Sequence, residues 1–272
     1  MRSTGYFLSL TSYLSMTFDQ FATLYNVHSH LLPEVCRTEE AMRRLHTICE
    51  MLVENNRKYN LTAIVEPEAV VEKHILDSLL PLGILVQKGI LTDSLAPAAG
   101  GMLRLIDIGA GAGFPSLPFA AVMPSDSTRI LAVDSTAKKV RHIAETAQAA
   151  GIGHIASEAG RAEELALGRL RESFGIATAR AVADLRILVE LTAPFVAVGG
   201  YVAALKGSRA EEELAGAEKI AGVLGLGEPD VVEYTLPCGD GRALVLYKKE
   251  GKTPVGYPRA YGKIKGEVRS KK

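Results

Sequence analysis

The sequence predicts an α/β fold: a mostly parallel seven-stranded sheet with helices on both faces, an antiparallel last strand and an N-terminal helical appendage. Three observations carry this. From Leu103 onward, short apolar runs alternate with stretches of helical periodicity, the pattern of a parallel sheet whose crossovers are helices. The first run ends in a glycine-rich turn that leads into a proline-headed helix. The final two runs are separated only by Pro237-Cys238-Gly239-Asp240-Gly241, too short for a crossover, so they must pair antiparallel.

Taken in order, residues 1–37 read as a weakly ordered extension, because Ser and Thr interrupt the apolar residues near its start and no signal-peptide core forms. Residues 38–88 read as the helical appendage. Thr38 suits an N-cap, Leu45, Ile48, Cys49 and Leu52 follow at helical spacing, and Asn60-Leu61-Thr62 ends the helix in a polar turn. Pro67 opens a second helix to about Leu80, with Val70, His74 and Ile75 on its apolar face. Gly89 to Gly101 reads as a linker.

The main domain, 89–248, then holds strands at Leu103–Ile108, Arg129–Val133, His154–Ser157, Phe174–Thr178, Tyr201–Leu205, Val231–Leu236 and Arg242–Lys248. Helices fall between them, one opened by Pro115 and others at Lys138–Ala150, Asp184–Phe195 and Glu211–Leu224. Residues 249–272 read as a basic tail.

Composition narrows the function. The chain has 272 residues, 47% of them hydrophobic and 23% charged, enough to build a core. Its three cysteines are far apart, with no CxxC pair, so a disulfide framework or zinc site is not expected and a reducing, cytoplasmic setting is. His28 and His30 lack further ligands at metal spacing. No apolar run reaches the roughly 18 residues of a membrane span. Net charge is zero, yet Lys248 to Lys272 carries nine basic and two acidic residues, which suggests a contact for a polyanion or, equally, a solubilising tail.

The strongest local signal is Leu105-Ile-Asp107-Ile-Gly109-Ala-Gly111-Ala-Gly113-Phe114-Pro115. Glycines let the chain turn sharply and let a ligand approach without meeting a Cβ. The second strand ends at Asp134, where a carboxylate accepts from both hydroxyls of a ribose. Gly160-Arg161-Ala162-Glu163-Glu164 follows the third strand, where such sites cover an adenine. Nicotinamide dehydrogenases and adenosylmethionine methyltransferases share these features. The G-x-G-x-G spacing, the immediate Phe-Pro and the antiparallel end of the sheet favour the methyl donor.

In combination the motifs are specific. They are Tyr59-Asn-Leu-Thr62, Lys73-His-Ile-Leu-Asp-Ser78, the glycine turn from Asp107 to Pro115, Val133-Asp-Ser135, Arg161-Ala-Glu-Glu164, Ala179-Arg-Ala181 and Ala204-Leu-Lys-Gly207. Across about Met51 to Leu246 the chain resembles the bacterial small-subunit ribosomal RNA guanine-N7 methyltransferases, the glucose-inhibited division protein B family. The resemblance implies a Rossmann-like class I methyltransferase fold and S-adenosyl-L-methionine as methyl donor. The donor would be held by Gly109, Phe114, Asp134, Ala162, Glu163 and Arg180, with Asp107, Gly111, Gly113 and Ser135 in the same motifs. The substrate would be one guanine of 16S rRNA, naked or in the small ribosomal subunit. No obligatory protein partner is implied. Tyr257-Pro258-Arg259 is similar to the basic end of some members. Asn55 stands where members often carry Trp, and Lys73 where they carry Arg.

Guanine N7 has a lone pair and no proton, so methyl transfer to it requires no general base, and no catalytic acid, base or nucleophile is expected. Pro237-Cys238 resembles the Pro-Cys of cytosine-C5 enzymes but lies in the wrong turn for that role. Arg180, just past the fourth strand, is a candidate for donor, base or phosphate, or else pairs with an acid such as Asp184. Lys206 and Arg259 are further candidates for RNA contact. His74 reads as a core histidine hydrogen-bonded to the sheet. The competing readings are an NAD-dependent oxidoreductase and a non-catalytic RNA-binding module; the first lacks an evident hydride-handling residue, and the second would not need an intact glycine turn with Asp134.

Overall fold

The computed structural model describes residues 16–269. Strands β1 (Leu103–Ile108), β2 (Thr128–Asp134), β3 (Ile155–Ala159), β4 (Phe174–Arg180), β5 (Val196–Gly207), β6 (Leu226–Thr235) and β7 (Gly241–Lys249) form one sheet in the order β3-β2-β1-β4-β5-β7-β6. Neighbours from β3 to β5 pair parallel, and β7 runs antiparallel to both β5 and β6. Successive residues of β1 serve opposite faces, as a pleated strand requires: Leu105 joins one core and Ile106 the other.

One face is covered by α1 (Phe18–His28), α2 (Glu39–Tyr59), α4 (Asp77–Gln87), α5 (Ser116–Val122) and α6 (Ala137–Ala149). The other is covered by α7 (Ala162–Leu165), α8 (Leu185–Thr192), α9 (Ala210–Val223) and α10 (Tyr261–Arg269). The helix ends follow local chemistry. Thr38 accepts from Ala41 N to cap α2, and Asn60, at φ 50°, turns the chain out of it.

Three expectations are corrected. Within 1–37, residues 16–37 are ordered: Thr17 and Gln20 form a capping box at the head of α1, and Phe21, Tyr25, Leu32 and Cys36 are buried. Residues 1–15 lie outside the described part. Gly89 to Gly101 is more than a linker, since Leu91 and Leu95 are buried and Leu91 bridges to Pro97. The basic tail is docked: Lys249 and Ile264 are fully buried, and α10 packs on α8.

The helix opened by Pro67 also runs further than its periodicity suggests. It passes through α3 (Pro67–Val70), a π-helical stretch (Val71–Leu76) and α4, with Pro81 inside it. Wide turns of this kind recur at functional sites. This one presents Lys73, His74 and Asp77 to a single cleft.

Candidate functional site

The site is built at the carboxyl ends of β1, β2, β4 and β5. At the end of β1, Gly109 N and Ala110 N both donate to Val133 O, which folds the glycine turn back over β2. Asp134 completes the turn, accepting from Gly111 N on Oδ2 at 3.0 Å and from Thr136 N on Oδ1 at 2.8 Å. Gly160 N donates to Asp134 O, bringing Ala162 and Glu163 to the same strand end; Ser135 is exposed beside them.

Two of the glycines answer different needs. Gly113 sits at φ +90°, where L side chains are strained, and a Cβ there would also stand 2.3 Å from Leu117 Cδ1. Gly111 has φ +59° and meets nothing nearer than Gly109 O at 3.9 Å, so its missing side chain leaves open room above the turn.

Beneath it lies Asp107, fully buried. Its Oδ2 accepts from Ser116 N at 3.2 Å, while Oδ1 has no partner among the described residues. Burial pushes its carboxyl up to about 6. An unsatisfied buried oxygen below open room, with an acid at the neighbouring strand end, fits a polar nucleoside-type ligand.

Phe114 carries the turn into the second half of the site. The ring of His74 stacks on it, centroids 4.6 Å apart and planes 15° from parallel, and the Arg180 guanidinium lies over it at 5.4 Å. Arg180 donates to Lys73 O at 3.1 Å, to Asp77 Oδ2 at 2.9 Å and to His74 Nδ1 at 3.3 Å. His74 Nδ1 must therefore accept, which leaves Nε2–H to donate to Thr62 Oγ1 at 3.0 Å. Burial, and then the charge of Arg180, hold His74 down at about 3, so the ring is neutral. His74 thus partners a residue at the end of a sheet strand, and Arg180 pairs with Asp77 rather than Asp184.

A cleft of about 590 Å³ opens beside this stack, lined among others by Lys73, Arg180, Lys206, Arg209, Asp240 and Arg242. Asp77, its side chain 8% exposed, is held between Arg180 and Arg242, whose Nε donates to Asp77 Oδ1 at 3.0 Å. Arg242 and Lys73 both reach Asp240 in the β6–β7 turn, at 3.4 and 3.1 Å. The hydrogen bond between Lys73 and Asp240 raises the one and lowers the other, so both stay charged.

Lys206 lines the cleft but is engaged. It donates to Ala183 O at 2.8 Å and pairs with Glu213 at 2.7 Å, and Glu213 Oε2 also accepts from Leu185 N at 2.6 Å. The pair braces the loop after β4. There Ala181 is held at φ 55°, unusual for a residue with a Cβ, and Val182 presses against Gly109.

The expected RNA contact at Arg259 is corrected. This guanidinium is bidentate on Glu190, at 2.7 and 2.8 Å, and pairs with Glu267; Glu190 is fully buried, so Arg259 neutralises an interior charge. Cys238 is an exposed residue of the β6–β7 turn. Asn55 is buried and bonds His142 Nδ1 at 3.1 Å. Among the described residues no cluster of His, Cys, Asp and Glu is arranged for a metal, and no helix is long and apolar enough to cross a membrane.

Sequence reasoning brings together Asp107, Gly109, Gly111, Gly113, Phe114, Asp134, Ala162 and Arg180. It misses Asp77, Arg209, Glu213 and Arg242. Asp77 lies inside the Lys73–Ser78 motif; Arg242 has no local signal at all.

The family described as GidB: rRNA small subunit methyltransferase G matches residues 41–237 of this chain. The chain belongs to that family. Two relatives named Ribosomal RNA small subunit methyltransferase G agree. The one from Streptococcus sanguinis is 41% identical over 214 residues, 78% of this chain and 85% of the relative. The one from Streptococcus suis (strain 05ZYH33) is 38% identical over 226 residues, 83% and 90%. A putative O-methyltransferase from Klebsiella pneumoniae shares the fold alone: TM-score 0.51, 16% identity, 85% of this chain and 98% of that one. Membership of the GidB family makes this Rossmann-like α/β chain a class I methyltransferase and sets the oxidoreductase reading aside.

Proposed function

We propose that the protein transfers the methyl group of S-adenosyl-L-methionine to N7 of a guanine in small-subunit (16S) rRNA, in the cytoplasm. One observation carries the reading: the open glycine turn over Asp107 adjoins, through Phe114, a cleft lined with arginine and lysine, in a chain whose relatives are named for small-subunit rRNA methylation. The substrate, naked rRNA or the small-subunit particle, enters at the cleft.

Asp107, Gly109, Gly111, Gly113, Phe114, Asp134, Ser135, Ala162, Glu163 and Arg180 would hold the donor, which supplies an electrophilic methyl on a sulfonium. Asp134 would bind the ribose; its two backbone hydrogen bonds fix the carboxylate in advance. Gly111 leaves the ligand room. Arg180, fixed by Asp77, His74 and Lys73 O, lies between Phe114 of the glycine turn and the cleft and would orient donor against substrate. The neutral His74, with both ring nitrogens engaged, serves as a wall behind Phe114 and handles no proton. Rate then comes from alignment and preorganised charge.

The test is nucleoside mass spectrometry of rRNA from a strain lacking the protein. Loss of 7-methylguanosine at one small-subunit site, restored by the wild type and not by Gly111→Val, is expected. An intact modification, or a missing methylcytosine instead, overturns the reading. Calorimetry should show binding of adenosylmethionine and none of NAD. Asp134→Ala should weaken donor binding by roughly 1.5–3 kcal/mol.

A further inference from the structure

With Arg259 and Lys249 committed inside the fold, the C-terminal segment offers less positive charge to a polyanion than its composition suggests. A second basic surface lies at the mouth of the site. Helix α6 starts three residues after Asp134, so its first turns stand at the carboxyl edge of the sheet, beside the glycine turn. There it carries Lys138, Lys139 and Arg141.

Helix α2 packs antiparallel to α6. Asn55, near the end of α2, bonds His142, near the start of α6, while Glu39, Arg43 and Thr47 share a surface hollow with Ala149 and Ala150 at its end. The last turn of α2, with Lys58, therefore reaches the same edge.

Lys138 and Arg141 are exposed and have no hydrogen bond or ion pair among the described residues. Lys58 has only an exposed pair with Glu54 at 3.5 Å, and Lys139 only a distant one with Asp134 at 4.0 Å. Such cations lose little when a phosphate replaces their partner. The loop from Leu61 to Glu66 joins this rim to the cleft: Thr62 bonds His74, and Ile64 lines the cleft together with Arg209, whose exposed side chain is likewise without a partner among the described residues.

We propose that Lys58, Lys138, Lys139 and Arg141 form the rim along which the RNA backbone flanking the target nucleotide lies, so that the strand enters over α2 and α6 and drops its base into the cleft. This rests on the rRNA reading above. Lysine and arginine here bind phosphates, fixing register without reading sequence.

The experiment compares Lys138→Glu/Arg141→Glu with Lys219→Glu/Lys248→Glu. The second pair makes the same charge change at the opposite edge of the sheet, where α9 ends and β7 pairs with the start of β5. The readouts are the affinity of a 16S rRNA fragment across a salt series, methylation of that fragment, and affinity for adenosylmethionine. Reversal at the rim is expected to raise the RNA KM at least about 10-fold and to flatten the log K against log salt slope by about 0.7–0.9 for each phosphate no longer neutralised. The opposite-edge variant should keep the wild-type slope, and both should keep donor affinity. An unchanged slope at the rim, or equal loss in both variants, overturns the proposal while leaving the rRNA reading in place. Failure of the wild type to methylate either rRNA or the small-subunit particle overturns the rRNA reading itself. The milder Lys138→Gln/Arg141→Gln removes the same two cations without adding repulsion, so it should flatten the slope to a similar extent with a smaller rise in KM.

Discussion

Asp77 and Arg180 meet at 2.9 Å across the seam between the N-terminal helices and the sheet, and the same carboxylate holds Arg242 on its other oxygen. All three side chains are largely shielded from water, so their charges are strongly coupled. Asp77→Asn removes the one negative charge between two guanidiniums. It should destabilise the protein by about 3 kcal/mol in urea unfolding and abolish methylation, because Arg180 loses its fixed direction. A variant as stable and active as the wild type would show that the clamp is incidental.

Asp107 predicts a pH signature. Its folded carboxyl is raised to about 6 from an ordinary 3.8, so the folded state binds the proton more tightly than the unfolded one. The neutral buried form is favourable at low pH, and that stability is lost as pH rises through this window. Asp107→Asn keeps an acceptor for Ser116 N and carries no charge. It should gain on the wild type by on the order of 2–3 kcal/mol between pH 4 and 6, with a constant difference above that. His74 works in the opposite sense. Lowered to about 3, it contributes stability that is present above 6.5 and lost as pH falls. Denaturant melts of both proteins across pH 4–8 separate the two, since His74 is common to them. A flat difference would mean that Asp107 is not buried as a neutral acid.

Arg259→Met should be a stability variant. It leaves the buried Glu190 without its cation, a loss of about 3–5 kcal/mol, and truncation after Glu250 should do more by also removing Ile264 from the core. Thermal unfolding measures this. A truncated chain of wild-type stability would return the segment to a solubilising tail.

Lys206→Met should separate bracing from phosphate binding. Loss of the brace on Ala183 O should lower kcat by about 10-fold or more through misplacement of the loop after β4, with the salt slope of RNA binding unchanged. Adding Glu213→Gln should cost little further, because the two act as one unit. A flattened slope would instead make Lys206 a phosphate ligand.

Cys238→Ser should keep nearly full activity, and the rate at saturating donor should not climb through the histidine range. Cys238 is an exposed free thiol of the turn between β6 and β7, and methyl transfer to a proton-free nitrogen requires no side-chain nucleophile.

What is legible in the sequence is local. The Thr38 cap, the Asn60 stop, the strand–glycine–proline passage and the acid at the end of β2 each have a signature within a few residues of sequence, even though the glycine turn and Asp134 then bond each other across 23 residues. The head of α1 carries a local signal too, Thr17 and Gln20 at capping-box spacing, but it goes unread beside the polar residues that precede it. What escapes is long-range. Charge counts cannot tell that Arg259 is spent on Glu190, 69 residues away, or that Lys206 is held by Glu213 and Ala183. The pairing of Asp77 with Arg242 depends on where the last strand docks, and no window of sequence contains both.

That separation bears on synthesis. Arg180 follows Asp77 by 103 residues and Arg242 follows it by 165. On the ribosome, the helices bearing His74 and Asp77 emerge first and wait for both partners. A nascent chain can fold its glycine turn long before its cleft exists, and the clamp closes only when β7 slots between β5 and β6. Of the seven strands of this sheet, the one latest in the chain is therefore the one that completes the cleft, and a polypeptide released before β7 would carry the glycine turn without the Asp77 clamp.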